Sequence, residues 1–66
     1  MVLISVPKEH ILGFSSKLIR IITKKNNVRF RKDDKNIVFY SRNKNNIKRI
    51  INNDFALNFL DYNIVS

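Results

Sequence analysis

Cysteine is absent from this chain, so neither a disulfide framework nor a thiolate metal site is available to it. The one histidine, His10, cannot build a zinc site with the few carboxylates present. A single glycine rules out a glycine-rich phosphate loop. The longest apolar opening, Val2 to Val6, stops at Pro7, far short of the roughly 20 residues that span a bilayer, and it lacks the basic leader and small-residue cleavage pattern of a signal peptide. No membrane association is expected. Acid-base chemistry is equally scarce: Glu9, His10 and four aspartates are not spaced as a general acid and base, nor as a nucleophile with its base. His10 reads as a surface helix residue, and Asp33 and Asp34 as turn formers between Lys32 and Lys35. Neither an enzyme nor a metal or cofactor protein is expected.

What the chain does have is positive charge, and that charge is regional. Twelve of the thirteen basic residues fall between Lys17 and Arg49, where only Asp33 and Asp34 oppose them, a local net of +10 within a chain of net +8. Solubility alone does not need so large a local excess. Such a field speeds encounter with a polyanion, and phosphate neutralisation with counterion release supplies affinity.

Sixty-six residues make one domain, 1–66, and a chain of this size buries only roughly 60% of its unfolded surface. With no covalent staple, good packing or a partner must supply the remaining stability. The ten Asn and ten Ile are scattered through apolar periodic segments, as an AT-rich coding bias would leave them, and carry no functional reading.

Along the chain, Met1 to Val6 predicts a strand. Pro7 suits the first position of a short helix capped by Ser5 and running to Phe14. From Ser15 to Thr23 two readings compete. As a helix, Ile11, Phe14, Leu18 and Ile21 form one apolar face, interrupted by Gly13 at about 1 kcal/mol. As a strand, Lys17 to Thr23 places Ile19, Ile21 and Thr23 on one side, a β-branched run that a helix disfavours. Lys24 to Asn27 then reads as a turn. Val28-Arg29-Phe30-Arg31 alternates strictly, with Val28 and Phe30 inward and both arginines outward. Lys32 to Asn36 turns into a second strand, Ile37 to Tyr40. Asn43 caps a helix with Ile47, Ile50 and Ile51 on its apolar side, Asn52 to Asp54 weakens it, Phe55 to Leu60 either continues it or turns back, and Tyr62 to Val65 closes as an edge strand. The class is α+β: a small, mostly antiparallel sheet of three to four strands with two helices packed on one face. The expected core holds Ile19 or Leu18, Ile21 or Ile22, Val28, Phe30, Ile37, Phe39, Ile47, Ile50 and Ile51.

The expected RNA-binding residues are the cations of that window. Arg29 and Arg31 share the outer face of a strand, Lys24 and Lys25 sit before it, Lys32 and Lys35 after it, and Lys44, Lys48 and Arg49 on the next helix, in one contiguous patch that Lys17, Arg20 and Arg42 extend. Arginine suits bidentate phosphate contact and stacking on bases, and lysine adds point charge. Of Phe39 and Tyr40, on opposite sides of one strand, one is exposed or semi-exposed and available to stack a base, the alternative being that Tyr40 packs under a helix.

Two resemblances follow from these segments. Lys24-Lys25-Asn26-Asn27-Val28-Arg29-Phe30-Arg31, the strand Ile37 to Tyr40, the Lys-rich helix from Asn43 and the final strand Leu60 to Val65 resemble the eukaryotic-type large-subunit ribosomal protein L-thirty-eight family. That resemblance runs over about Lys17 to Ser66 and implies that Lys17 to Thr23 is extended and pairs with Val28 to Arg31. It also implies a structural constituent of the cytoplasmic ribosome that binds rRNA and neighbouring ribosomal proteins without self-association. Second, Ile11-Leu12-Gly13-Phe14-Ser15-Ser16 followed by Ile19, Ile22, Val28 and Phe30 is similar to the Ile-Gly-x-x-Gly loop, helix and second strand of the K-homology RNA-binding domain, with Ile37 to Ile51 as its third strand and final helix. Ser16 stands where that family has its second glycine, which implies a degenerate member. From a third class, a small regulator that binds an acidic protein surface shares the charge.

Overall fold

The computed structural model describes all 66 residues. Four strands, β1 (Val2–Pro7), β2 (Arg29–Lys32), β3 (Asn36–Ser41) and β4 (Ile64–Val65), form one antiparallel sheet in the order β2-β3-β1-β4. Helix α1 (Ser16–Lys25) connects β1 to β2, and α2 (Lys44–Arg49) with the π turn Ile50–Asp54 connects β3 to β4. This βαββαβ succession with β3 inserted between β1 and β2 is the split βαβ, or ferredoxin-like, arrangement. The fold is α+β, as the sequence pattern implies.

One face of the sheet is closed by the helices. Ile4, Val6, Phe39 and Ile37 from the strands meet Ile19 of α1, Ile47 of α2 and Ile50 and Ile51 of the π turn in a single core, completed by Ile11, Val28, Phe55 and Phe59. Phe55 stacks edge-on to Phe14 and tilted on Phe39, with centroids 4.8 and 5.3 Å apart. No buried side-chain polar atom lacks a partner. Phe30, expected in the core, is only half-buried against it, because β2 is the edge strand.

The segment with two readings is helical, which corrects the extended, β2-paired arrangement implied for Lys17 to Thr23. Ser15 caps α1, its Oγ accepting from the Leu18 amide at 3.1 Å. Thr23 satisfies its hydroxyl by donating back to the Ile19 carbonyl at 2.9 Å, so the β-branched run is accommodated within the helix. Burial of Ile19 and Thr23, beside half-buried Ile22, outweighs a propensity penalty of a few tenths of a kcal/mol per residue. The buried stripe is therefore not Leu18 and Ile21, which are 40% and 54% exposed.

Smaller corrections follow from the same geometry. Lys24 and Lys25 form the last turn of α1; the chain turns only at Asn26 and Asn27, the latter at φ 60°. Ser5 is an exposed strand residue rather than a cap, and the helix after Pro7 is a single 3-10 turn, Lys8–Ile11. Asn43 does cap α2, accepting from the Asn45 amide at 2.9 Å. Phe55 to Leu60 turns back: Ala56 takes φ 54°, Asn52 Oδ1 accepts from the Phe59 amide at 2.8 Å, and a 3-10 turn at Phe59–Asp61 leads to β4, the closing edge strand.

Candidate nucleic-acid interface

Because side chains alternate along a strand, the face of the sheet away from the helices carries Arg29 and Arg31 from β2, Val38 and Tyr40 from β3, and Leu3 and Ser5 from β1. Register brings Arg29 opposite Tyr40, Tyr40 opposite Leu3, and Leu3 opposite Val65, in one row across all four strands. Arg31, Val38 and Ser5 form the next row on the same face.

Two clefts meet at Tyr40. The first, about 390 Å³, wraps the β2 edge and is lined by Arg20 and Lys24 of α1 together with Asn27, Arg29 and Tyr40. The second, about 530 Å³, lies at the end of β3 and is lined by Arg29, Tyr40, Arg42, Asn43 and Asn46. Neither contains a carboxylate. Four cations, Arg20, Lys24, Arg29 and Arg42, thus surround one half-buried tyrosine ring, and all four are exposed. No side chain of the thirteen cations hydrogen-bonds a carboxylate: Lys8 donates to the Asp34 carbonyl at 3.1 Å and Lys32 to the Ser16 hydroxyl.

The acidic groups lie outside both clefts. Asp33, Asp34 and Glu9 gather at the opposite end of the sheet, where the β2–β3 turn is tied to the chain after β1 by the Lys8 amide donating to the Lys35 carbonyl at 2.9 Å. Asp61 stands at the rim of a hollow over Val38. Asp54 is engaged by Asn26, whose Nδ2 donates to its Oδ2 at 3.2 Å. His10 is exposed and hydrogen-bonded through Nδ1 to the Tyr62 hydroxyl at 2.7 Å. Partial burial, and then the neighbouring Asp61 charge, raise the Tyr62 hydroxyl pKa above its ordinary value of 10.0. No three His, Asp or Glu side chains gather to hold a metal ion.

The sequence-predicted cations divide into groups instead of forming the one patch expected. Arg20, Lys24, Arg29 and Arg42 converge on Tyr40, and Arg31 lies one row further on the same sheet face. Lys32 points to the helical side, beside Ser16, and Lys35 sits in the β2–β3 turn. Lys17 and Lys25 are exposed at the two ends of α1. Lys44, Lys48 and Arg49 are exposed on α2, whose apolar side packs on the core face, so the core separates them from Arg29 and Arg31. Strand periodicity places the two arginines together, but only packing decides which helix borders them, and it is α1 at the β2 edge. The clefts also enlist Asn27, Asn43 and Asn46, for which the sequence held no signal. Lys8, outside the basic window, joins Lys32 along a shallow groove of about 190 Å³ floored by Ile11, Phe14 and Ile37.

Comparison of the chain with protein-family models, with curated proteins and with solved structures returns no match. No helix is long and apolar enough to cross a membrane.

Proposed function

We propose that this chain is an RNA-binding module without catalytic activity, and a structural constituent of a ribonucleoprotein, the large subunit of the cytoplasmic ribosome in the reading its sequence resemblance implies. The observation that carries the proposal is the pair of carboxylate-free clefts that surround Tyr40 with four unpaired cations. Clustered cations without acidic partners favour a dense anion, and an aromatic ring among them adds a surface on which a base stacks, which an acidic protein would not use. The mechanism is passive. Arginine and lysine neutralise phosphates, released counterions drive association, and the sheet holds the cations in register. A net charge of +8 also opposes self-association, so the module acts as a monomer beside rRNA and other ribosomal proteins.

Co-sedimentation with ribosomes through high salt tests the assembly. A chain that stays in the supernatant at every salt concentration, while still binding free RNA, removes the ribosome and leaves the RNA-binding module.

A second reading has its own observation. The Gly13 to Ser16 segment lies between the 3-10 turn Lys8–Ile11 and α1, followed by β2, β3 and α2, the order implied by the resemblance to K-homology domains, and α1 is a helix where that resemblance implies one and the ribosomal resemblance implies a strand. In that reading RNA lies along the shallow groove beside this segment, between Lys8 and Lys32. Lys32→Gln and Arg29→Gln separate the two sites: the proposed interface loses affinity with Arg29→Gln, the groove with Lys32→Gln.

A further inference from the structure

The sheet face beyond Tyr40 is built unlike the cationic clefts. Over Val38 lies a hollow of about 460 Å³ whose floor includes Leu3, Val38 and Val65 and whose rim includes Ser5 and Asn63. Val38 is only 3% exposed yet lies outside the core, on the face opposite Phe39. Asp33 and Asp61 also reach this hollow, and Arg31 lines it beside its cross-strand partner Val38, so carboxylates stand here beside a single arginine where the clefts at Tyr40 hold cations alone. The aspartate charges repel a phosphate, whereas a neutral planar group with amino donors gains from an apolar floor, hydroxyl and amide partners and nearby carboxylates. The hydrogen-bonded His10 and Tyr62 stand beside it and bound the available surface.

Tyr40 and Val38 are two residues apart on β3, and Arg29 and Arg31, their cross-strand partners, are two residues apart on β2. That separation is about 6.8 Å along each strand. From this arrangement, and resting on the RNA-binding function proposed above, we infer that the ligand is unpaired RNA, with two successive bases splayed across the sheet. One base stacks on Tyr40, the next enters the hollow over Val38, and the phosphate between them lies between Arg29 and Arg31. A step of about 6.8 Å is twice the rise of about 3.4 Å per phosphate in a duplex strand, so a stacked duplex does not place adjacent bases at both positions. Paired bases also offer no free face to an aromatic ring.

The test compares a single-stranded oligonucleotide with a hairpin duplex of equal phosphate number, by fluorescence anisotropy at one salt concentration. The folded parent prefers the single strand. Tyr40→Leu weakens single-strand binding about tenfold and leaves duplex binding unchanged, while Tyr40→Phe retains the preference. The chain has no tryptophan, so tyrosine emission is read directly. In a Tyr62→Phe background, polycytidine, whose bases carry the amino donor the hollow favours, quenches Tyr40, and this measurement decides the matter alone if Tyr40→Leu does not fold. Equal affinity for the duplex, equal losses on both ligands, or unquenched Tyr40 overturns the inference while leaving RNA binding intact. A folded parent that binds neither ligand overturns the underlying function instead.

Discussion

Phe39 has no exposed surface and packs between Phe30 and Phe55, with centroids 6.4 and 5.3 Å away. Phe39→Ala is expected to cost about 3–5 kcal/mol, enough to unfold a domain this small. Phe30→Ala, at a half-buried edge position, costs less and leaves a cooperative transition; urea melts of the two variants check the order. A second residue-scale expectation concerns Tyr62. Its raised folded-state pKa means that the folded protein holds the hydroxyl proton where the unfolded chain begins to release it. The associated stability is fully present below pH 10.0 and is lost as pH rises through the folded-state value. Melting temperature recorded from pH 8 to 11 should fall more steeply in the parent than in Tyr62→Phe.

At the scale of elements, α1 is the decisive one, because it carries Arg20 and Lys24 to the β2 edge. A ten-residue helix with four β-branched residues relies on its cap and its buried stripe rather than on propensity. Ser15→Ala removes the oxygen that accepts from Leu18, and should cost about 1 kcal/mol in thermal or urea unfolding. The reversal after the π turn carries strain of the opposite kind. Ala56 sits at φ 54°, where a Cβ costs about 1–2 kcal/mol, while glycine there gives up about 0.5–1 kcal/mol of unfolded-chain entropy. Ala56→Gly is therefore expected to raise stability by about 0.5 kcal/mol, seen as a higher urea midpoint with an unchanged slope.

Over the whole molecule, charge is uneven along the sheet: cations without carboxylates at the Tyr40 end, and at the other Glu9, Asp33 and Asp34 balanced by Lys8, Lys32 and Lys35. A radius of gyration of 10.4 Å leaves no room for the two ends to be independent bodies, so this polarity orients the molecule on a polyanion as a unit. For single strands each phosphate contact contributes about 0.7 to the slope of log affinity against log salt. Arg29→Gln with Arg42→Gln should flatten that slope by about 1.4 and weaken different RNAs alike, whereas Lys48→Gln with Arg49→Gln, across the core, should leave it near the parent value. Affinities measured across a salt series for the three proteins test this; equal flattening by both pairs would show that RNA wraps the helical side as well.

Local pattern alone was enough for the α+β class, for the alternation that sends Val28 and Phe30 one way and Arg29 and Arg31 the other, for Asn43 as a helix cap and for the terminal edge strand, since strand period and capping chemistry depend on neighbours in the chain. It was not enough for Ser16 to Lys25. The β-branched run and the helical spacing there are nearly balanced locally, and burial of Ile19 and Thr23 as α1 packs on β2 and the π turn breaks the balance in favour of a helix. The site shows the same division. That the protein is basic, and where, was written in Lys17 to Arg49. That Tyr40 faces away from the helices, that Arg20, Lys24 and Arg42 converge on it, and that Lys48 and Arg49 do not, was decided by the insertion of β3 between β1 and β2, a long-range pairing of residues as distant in the chain as Val2 and Ser41 that no local signal encodes.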